Sequence, residues 1–224
     1  MMRGDETSMS LSPDLKQRVL ASVADVPAAT QAQTTRARAG LFACGVAGAI
    51  AIFFLEGGMR VTTRPPSLVA LTSLGTAVIV GVGMWFLFTR GRSVLGRPGS
   101  RLLVAALVSS VLFVAWRYRI SAAYGLTEAW PERPGFRCLG LSILTGALPL
   151  LGALLSWRRS VPVSPVATGA AFGAGAGLGS ALLVDLWCPV SYLPHLLLGH
   201  LLPIGVLALL GGVLGSRILR LFWR

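Results

Sequence analysis

Apolar positions along the chain gather into six long runs, at residues 39–55, 67–88, 102–116, 138–157, 166–187 and 193–215, parted by short stretches that carry most of the arginines. Most of these runs approach the roughly 20 residues that a helix needs to cross a hydrocarbon layer about 30 Å thick. Neither the two-residue alternation of a half-buried strand nor the polar face of a surface helix interrupts them. The pattern predicts an all-α, polytopic membrane protein with six transmembrane helices. The third run is short, so its helix is expected to recruit Tyr118 and Ile120 while Arg117 and Arg119 snorkel to the interface.

Residues 1–38 read differently. This polar tail contains one helical segment, at about residues 11–26, with good start signals: Ser12 to cap, Pro13 at the first helical position, and Asp14 in the first turn, where the helix dipole favours a negative charge. Leu11, Leu15, Val19 and Val23 recur every fourth residue with Leu20 on the flank, which gives one apolar stripe facing away from Lys16, Arg18 and Asp25. Pro27 ends it. The expected division is therefore a tail, 1–38, and a six-helix membrane domain, 39–224.

Composition changes this picture only by excluding alternatives. With 54% hydrophobic and 12% charged residues and a mean hydropathy of +0.73, the chain cannot be an ordinary soluble domain. The net charge of +12 would suggest nucleic acid in a soluble protein, but no reading module accompanies it. Retention of positive loops on the cytoplasmic side explains it instead. With the tail placed inside, fourteen of the twenty Lys and Arg lie inside, and six (Arg60, Arg64, Arg117, Arg119, Arg133, Arg137) lie outside. Both termini are thus expected in the cytoplasm, with no direct nucleic-acid contact. The tail contains no apolar region of the secretory type, so no cleaved signal peptide is expected.

Catalysis finds little to work with. Ionisable residues inside spans are costly and usually mark function, yet the runs hold only Ser, Thr, Cys and His as polar groups, with Glu56 and Asp185 near span ends. Metalloprotease, Walker and serine-hydrolase motifs are absent, so no enzyme is expected. Within the fifth span Gly169, Gly173 and Gly177 repeat at four-residue spacing, as Gly211 and Gly215 do in the sixth, a spacing that lets helix backbones approach closely. Bundle packing is the expected use, and a homo-oligomer seam the other. His195 and His200, five residues apart on an α-helix, point about 140° away from each other, which argues against a haem clamped between two spans. No cofactor is expected beyond a metal ion at the cysteines.

Of the three cysteines, Cys44 reads as a small buried hydrophobe. Cys138 opens the fourth span and Cys188 closes the fifth, so antiparallel threading brings both to the outer face, where thiols oxidise or meet metal ions. Around them sit Asp185, His195 and His200, in a segment that with Cys188 holds soft and borderline ligands at one depth. Two readings stay open: a redox or metal-responsive pair, or a tight Cys188-Pro189 turn between spans.

The stretch Arg158-Arg159-Ser-Val-Pro-Val-Ser-Pro, the glycine-rich span after it, Trp187-Cys188-Pro189 and the segment from His195 to His200 resemble the NrsF family, six-span bacterial anti-sigma proteins. The likeness extends to the Cys138 region, to residues 60–66 and to the tail helix around residues 15–20, and it departs at Gly199-His200. It implies a regulator of the bacterial inner membrane. Its tail, through Leu11, Leu15, Lys16, Arg18, Val19, Leu20 and Val23, would hold an extracytoplasmic-function sigma factor away from RNA polymerase. It also implies that Cys138 and Cys188 sense an envelope signal. A marginal helix of this size gains order by laying its stripe into a partner's groove; the inner leaflet would be the other surface for it. A small transporter, or a structural subunit of a membrane complex, is the competing class.

Overall fold

The computed structural model describes residues 12, 14, 17, 31–57, 64–88, 99–129, 132–158, 162 and 164–219. The described residues form an all-helical structure with six helices long and apolar enough to cross a membrane. They are α1 (Gln31–Leu55), α2 (Pro66–Phe88), α3 (Gly99–Ala123), α4 (Phe136–Trp157), α5 (Pro165–Trp187) and α6 (Leu193–Ile218). The chain divides into two compact units, Met1–Arg36 and Ala37–Arg224. Asp14 and Gln17 are helical. The proposed sigma-binding residues Leu11, Leu15, Lys16, Arg18, Val19, Leu20 and Val23 lie outside the described residues.

Within the larger unit, α5 is the central post and touches α2, α3, α4 and α6. Its composition explains that position: glycine and alanine leave a thin cylinder that neighbours can approach from several sides. Ser164 caps it by accepting from the Ala167 N–H at 3.4 Å, and Pro165 fills the first turn. The closest approach is to α6. A Cβ added at Gly169 would run into the Gly211 carbonyl, one at Gly173 into the Leu207 carbonyl, and one at Gly215 would come within 2.7 Å of the Pro165 carbonyl and 2.8 Å of Gly169 Cα. At Gly177 it would lie 2.7 Å from Ile204 Cα. Against α4, Gly45 of α1 takes the Leu148 carbonyl in the same way, and Gly152 takes that of Leu41.

Several buried hydroxyls turn back onto their own helices, which satisfies a polar group without water. Thr72 donates to the Leu68 carbonyl, Ser110 to that of Ala106 and Thr145 to that of Leu141, each at 2.8 Å.

Two sequence expectations need correction. Cys44 is exposed rather than buried, because α1 sits at the periphery and turns this face away from the bundle. Arg117 does not snorkel. The third span runs from Leu103 to Ala123, so Arg117 falls two turns before its end and points inward, 0% exposed and paired with Asp185. Arg119 is exposed.

Candidate metal centre

Three chain segments converge at one end of the bundle. The fifth helix must stop at Trp187, because Pro189 offers no N–H and forces the residue before it out of the helical region. Cys188 accordingly takes an extended conformation (φ −90°, ψ 118°) and turns the chain toward α6. Gly135, at φ +112°, opens α4 and places Cys138 in its first turn. A left-handed residue suits glycine there, and space gives a second reason: a Cβ at Gly135 would lie 3.2 Å from the Gly199 nitrogen.

The third segment is the start of α6, where the sequence reading failed. Between His195 and His200 the helix widens into a π turn, Leu197–Leu201. A π turn bonds residue i to i+5, so residues five apart come to lie nearly over one another. The two imidazoles therefore share a face, ring centroids 5.7 Å apart, instead of diverging. Pro203 supplies a cause. It cannot bond to the Gly199 carbonyl four residues back, and its ring crowds that carbonyl, which accepts instead from Ser142 Oγ at 3.4 Å. That proline, three residues past His200, was the signal in the sequence for the widened turn.

Cys138, Cys188, His195 and His200 form one buried cluster whose ligand atoms all lie within 4.8 Å of one another. Cys188 Sγ stands 3.1 Å from His195 Nε2, and His195 Nδ1 lies 2.7 Å from the Arg133 carbonyl. Only an N–H can face a carbonyl, so Nδ1 carries a proton and Nε2 is the ring nitrogen that faces the sulfur. Support of a ligand histidine through its far nitrogen is the usual arrangement behind a metal. Both ring nitrogens of His200 are buried without a hydrogen bond among the described residues, a costly state for polar atoms that a bound ion would relieve at one of them. Two sulfurs and two imidazole nitrogens are a tetrahedral donor set for a thiophilic cation. The residues present could hold a metal.

Cys188 lies in the turn between the spans. Its thiol is held below its ordinary range, chiefly by Cys138 beside it and then by His195, against the contrary effect of burial. Phe53, Leu141, Val184, Trp187 and Val190 wall the two sulfurs with apolar surface.

Asp185, a weaker candidate ligand from the sequence, is not in this cluster. Its carboxylate pairs with Arg117, Nε to Oδ1 2.6 Å, both side chains fully buried. Arg117 also donates from Nη2 to the Cys188 carbonyl at 3.2 Å, and Arg64 donates to the Asp185 carbonyl at 3.1 Å. Sequence reasoning missed Arg64, Arg117, Arg133, Gly135 and Gly199. The arginines looked like loop charges, and nothing local told the two glycines apart from the chain's many others.

Gly199 provides a test of the site's packing. A Cβ there would come 2.9 Å from Cys138 Cβ and 3.2 Å from the Gly135 carbonyl. Gly199→Val is expected to push α4 off the π turn and lower metal affinity by roughly 10–100-fold, as loss of a supporting contact does. Cobalt titration of the purified protein would check this, and affinity equal to wild type would refute it.

A family model described as NrsF, negative regulator of sigma F, matches residues 23–221. No curated protein and no solved structure matches the chain.

Proposed function

The chain belongs to the NrsF family of negative regulators of sigma F, and from that premise we propose that it is a membrane-bound anti-sigma factor controlled by its Cys/His cluster. In this reading the N-terminal segment lies in the cytoplasm and holds an extracytoplasmic-function sigma factor, while Cys138, Cys188, His195 and His200 face the exported side of the bacterial inner membrane. A thiophilic metal ion or an oxidant reaching the two sulfurs is the signal. The observation that carries the proposal is the convergence of four donor side chains, from two span junctions and a widened helix turn, in a protein of a regulatory family.

The protein's own share of the work is derived from its residues. Arg133 orients His195 through Nδ1 and leaves Nε2 as the donor. The apolar wall keeps bulk water from the sulfurs. A bound ion would supply positive charge that stabilises both thiolates, and Cys138, Cys188, His195 and His200 would hold it. Because those residues come from α4, the α5–α6 turn and α6, a change in their spacing is a change in how three helices meet.

Sigma-factor binding is supported by the apolar stripe of Leu11, Leu15, Val19 and Val23. The test uses the full chain in lipid nanodiscs with the sigma factor encoded beside its gene. Wild type is expected to retain the sigma factor, and the double variant Leu15→Asp, Val19→Asp to bind at least about a hundredfold more weakly, given roughly 1.5–3 kcal/mol for each buried aliphatic side chain. Equal retention by both proteins would defeat the proposal.

A further inference from the structure

The charged cluster behind the thiols has a feature that helix capping alone does not explain. A helix ending in the apolar part of a membrane protein leaves its last carbonyls unpaired. At the end of α5 two arginines from other segments reach them: Arg64, just ahead of α2, takes the Asp185 carbonyl, and Arg117, on α3, takes that of Cys188. A single capping cation would satisfy the helix dipole. Arg117 does more, because one guanidinium holds the Asp185 side chain by Nε and the Cys188 main chain by Nη2. It thereby bridges the last helical turn and the first residue beyond it, the hinge at which the Cys188 thiol is aimed.

Burial makes the grip stiff. Arg117 is 0% exposed and Asp185 1%, and an ion pair without water competes with few alternatives. Among the described residues, no buried ion pair comparable to this one holds Cys138. It is placed by the Gly135 turn and by α4. The two sulfurs, though neighbours, are thus carried by different backbone segments.

We propose that Arg117 is the positioning residue of the Cys/His cluster, fixing the Cys188 thiol through its grip on Asp185 and the Cys188 carbonyl and so tying α3 to the state of the site. The inference rests on the proposed sensing role for its consequence, but the positioning itself can be measured without a metal.

The experiment labels the purified full chain in lipid nanodiscs with a maleimide and follows each cysteine separately by peptide mass spectrometry. In the wild type Cys44, which faces outward from the middle of the first span and so meets lipid rather than water, is expected to react slowly, as are Cys138 and Cys188. In Arg117→Gln the rate at Cys188 should rise at least tenfold, while that at Cys138 changes less than about threefold; tenfold corresponds to about 1.4 kcal/mol of lost local protection. Arg117→Lys keeps a cation for Asp185 but not the planar fork that reaches both acceptors. It should give the same selective rise, and it carries the test if the glutamine variant does not accumulate. Cadmium uptake, read by the ultraviolet thiolate-to-metal band, is expected to weaken about tenfold in both variants, again about 1.4 kcal/mol.

Unchanged labelling at Cys188 would overturn the proposal. So would an equal rise at Cys138 and Cys188, which marks a bundle that has merely loosened. Absence of cadmium binding by the wild type would sink the metal reading instead, and the selective rise at Cys188 would still decide the role of Arg117.

Discussion

Cobalt added to the wild-type protein is expected to produce the intense visible bands of a tetrahedral site with two sulfur and two nitrogen donors, and Cys188→Ser to abolish them. Cys188 contributes most because it is the residue on which the cluster closes. Its sulfur lies 3.1 Å from His195 Nε2, and its neighbour Cys138 is the main cause of its lowered pKa. Serine keeps the shape but replaces a soft donor with a hard, protonated one, so the loss should exceed the roughly 10–100-fold that removal of a supporting contact costs. Cys138→Ser should behave alike. His200→Ala should leave a weaker three-donor site, and Cys44→Ser, far from the cluster, should titrate as wild type. In cells, the Cys188 variant is expected to keep the sigma factor bound when thiophilic metal is supplied. Visible bands of full strength in Cys188→Ser would remove that residue from the centre.

The second large effect is structural. Gly173→Leu is expected to prevent assembly of the bundle, because the new Cβ would run into the Leu207 carbonyl of α6. Ordinary overpacking, where side chains meet side chains and can change rotamer, costs about 1–3 kcal/mol. Here the obstacle is backbone, and the helices must move apart along the seam that also includes Gly169, Gly177, Gly211 and Gly215. The variant should fail to accumulate in membranes, or elute as an aggregate after solubilisation. Gly179→Leu is the control: it lies on the same helix, and a Cβ there meets nothing within 4 Å. Normal, monodisperse Gly173→Leu protein would show that α5 and α6 do not need this approach.

How far the sequence was legible follows from the range of the interaction that decided each feature. The Cys188-Pro189 break was readable because a proline acts on the residue beside it. Placing Cys138 and Cys188 at the same end needed only antiparallel threading. The meeting of His195 with His200 was misread, since an ideal α-helix was assumed where Pro203 and the displaced Gly199 carbonyl favour a π turn. Cys44 was misread for a related reason: an apolar helix shows no face when every side of it is apolar, so nothing in the run tells which residues meet protein.

Arg117 marks the limit most clearly. By sequence it was one more arginine after a short apolar run, and snorkelling is the ordinary fate of such a residue. Its inward turn depends on Asp185, 68 positions later, and on a carbonyl freed where another helix ends.

What the sequence determined by itself was the all-helical class of the fold, with six helices long and apolar enough to cross a membrane, because in hydrocarbon a long apolar run has one way to satisfy its own backbone. Which side chains face one another was decided only in the tertiary structure. The donor cluster and its arginine brace are made of residues far apart in the chain, and their partners are chosen by close approach between helices, which no local pattern encodes.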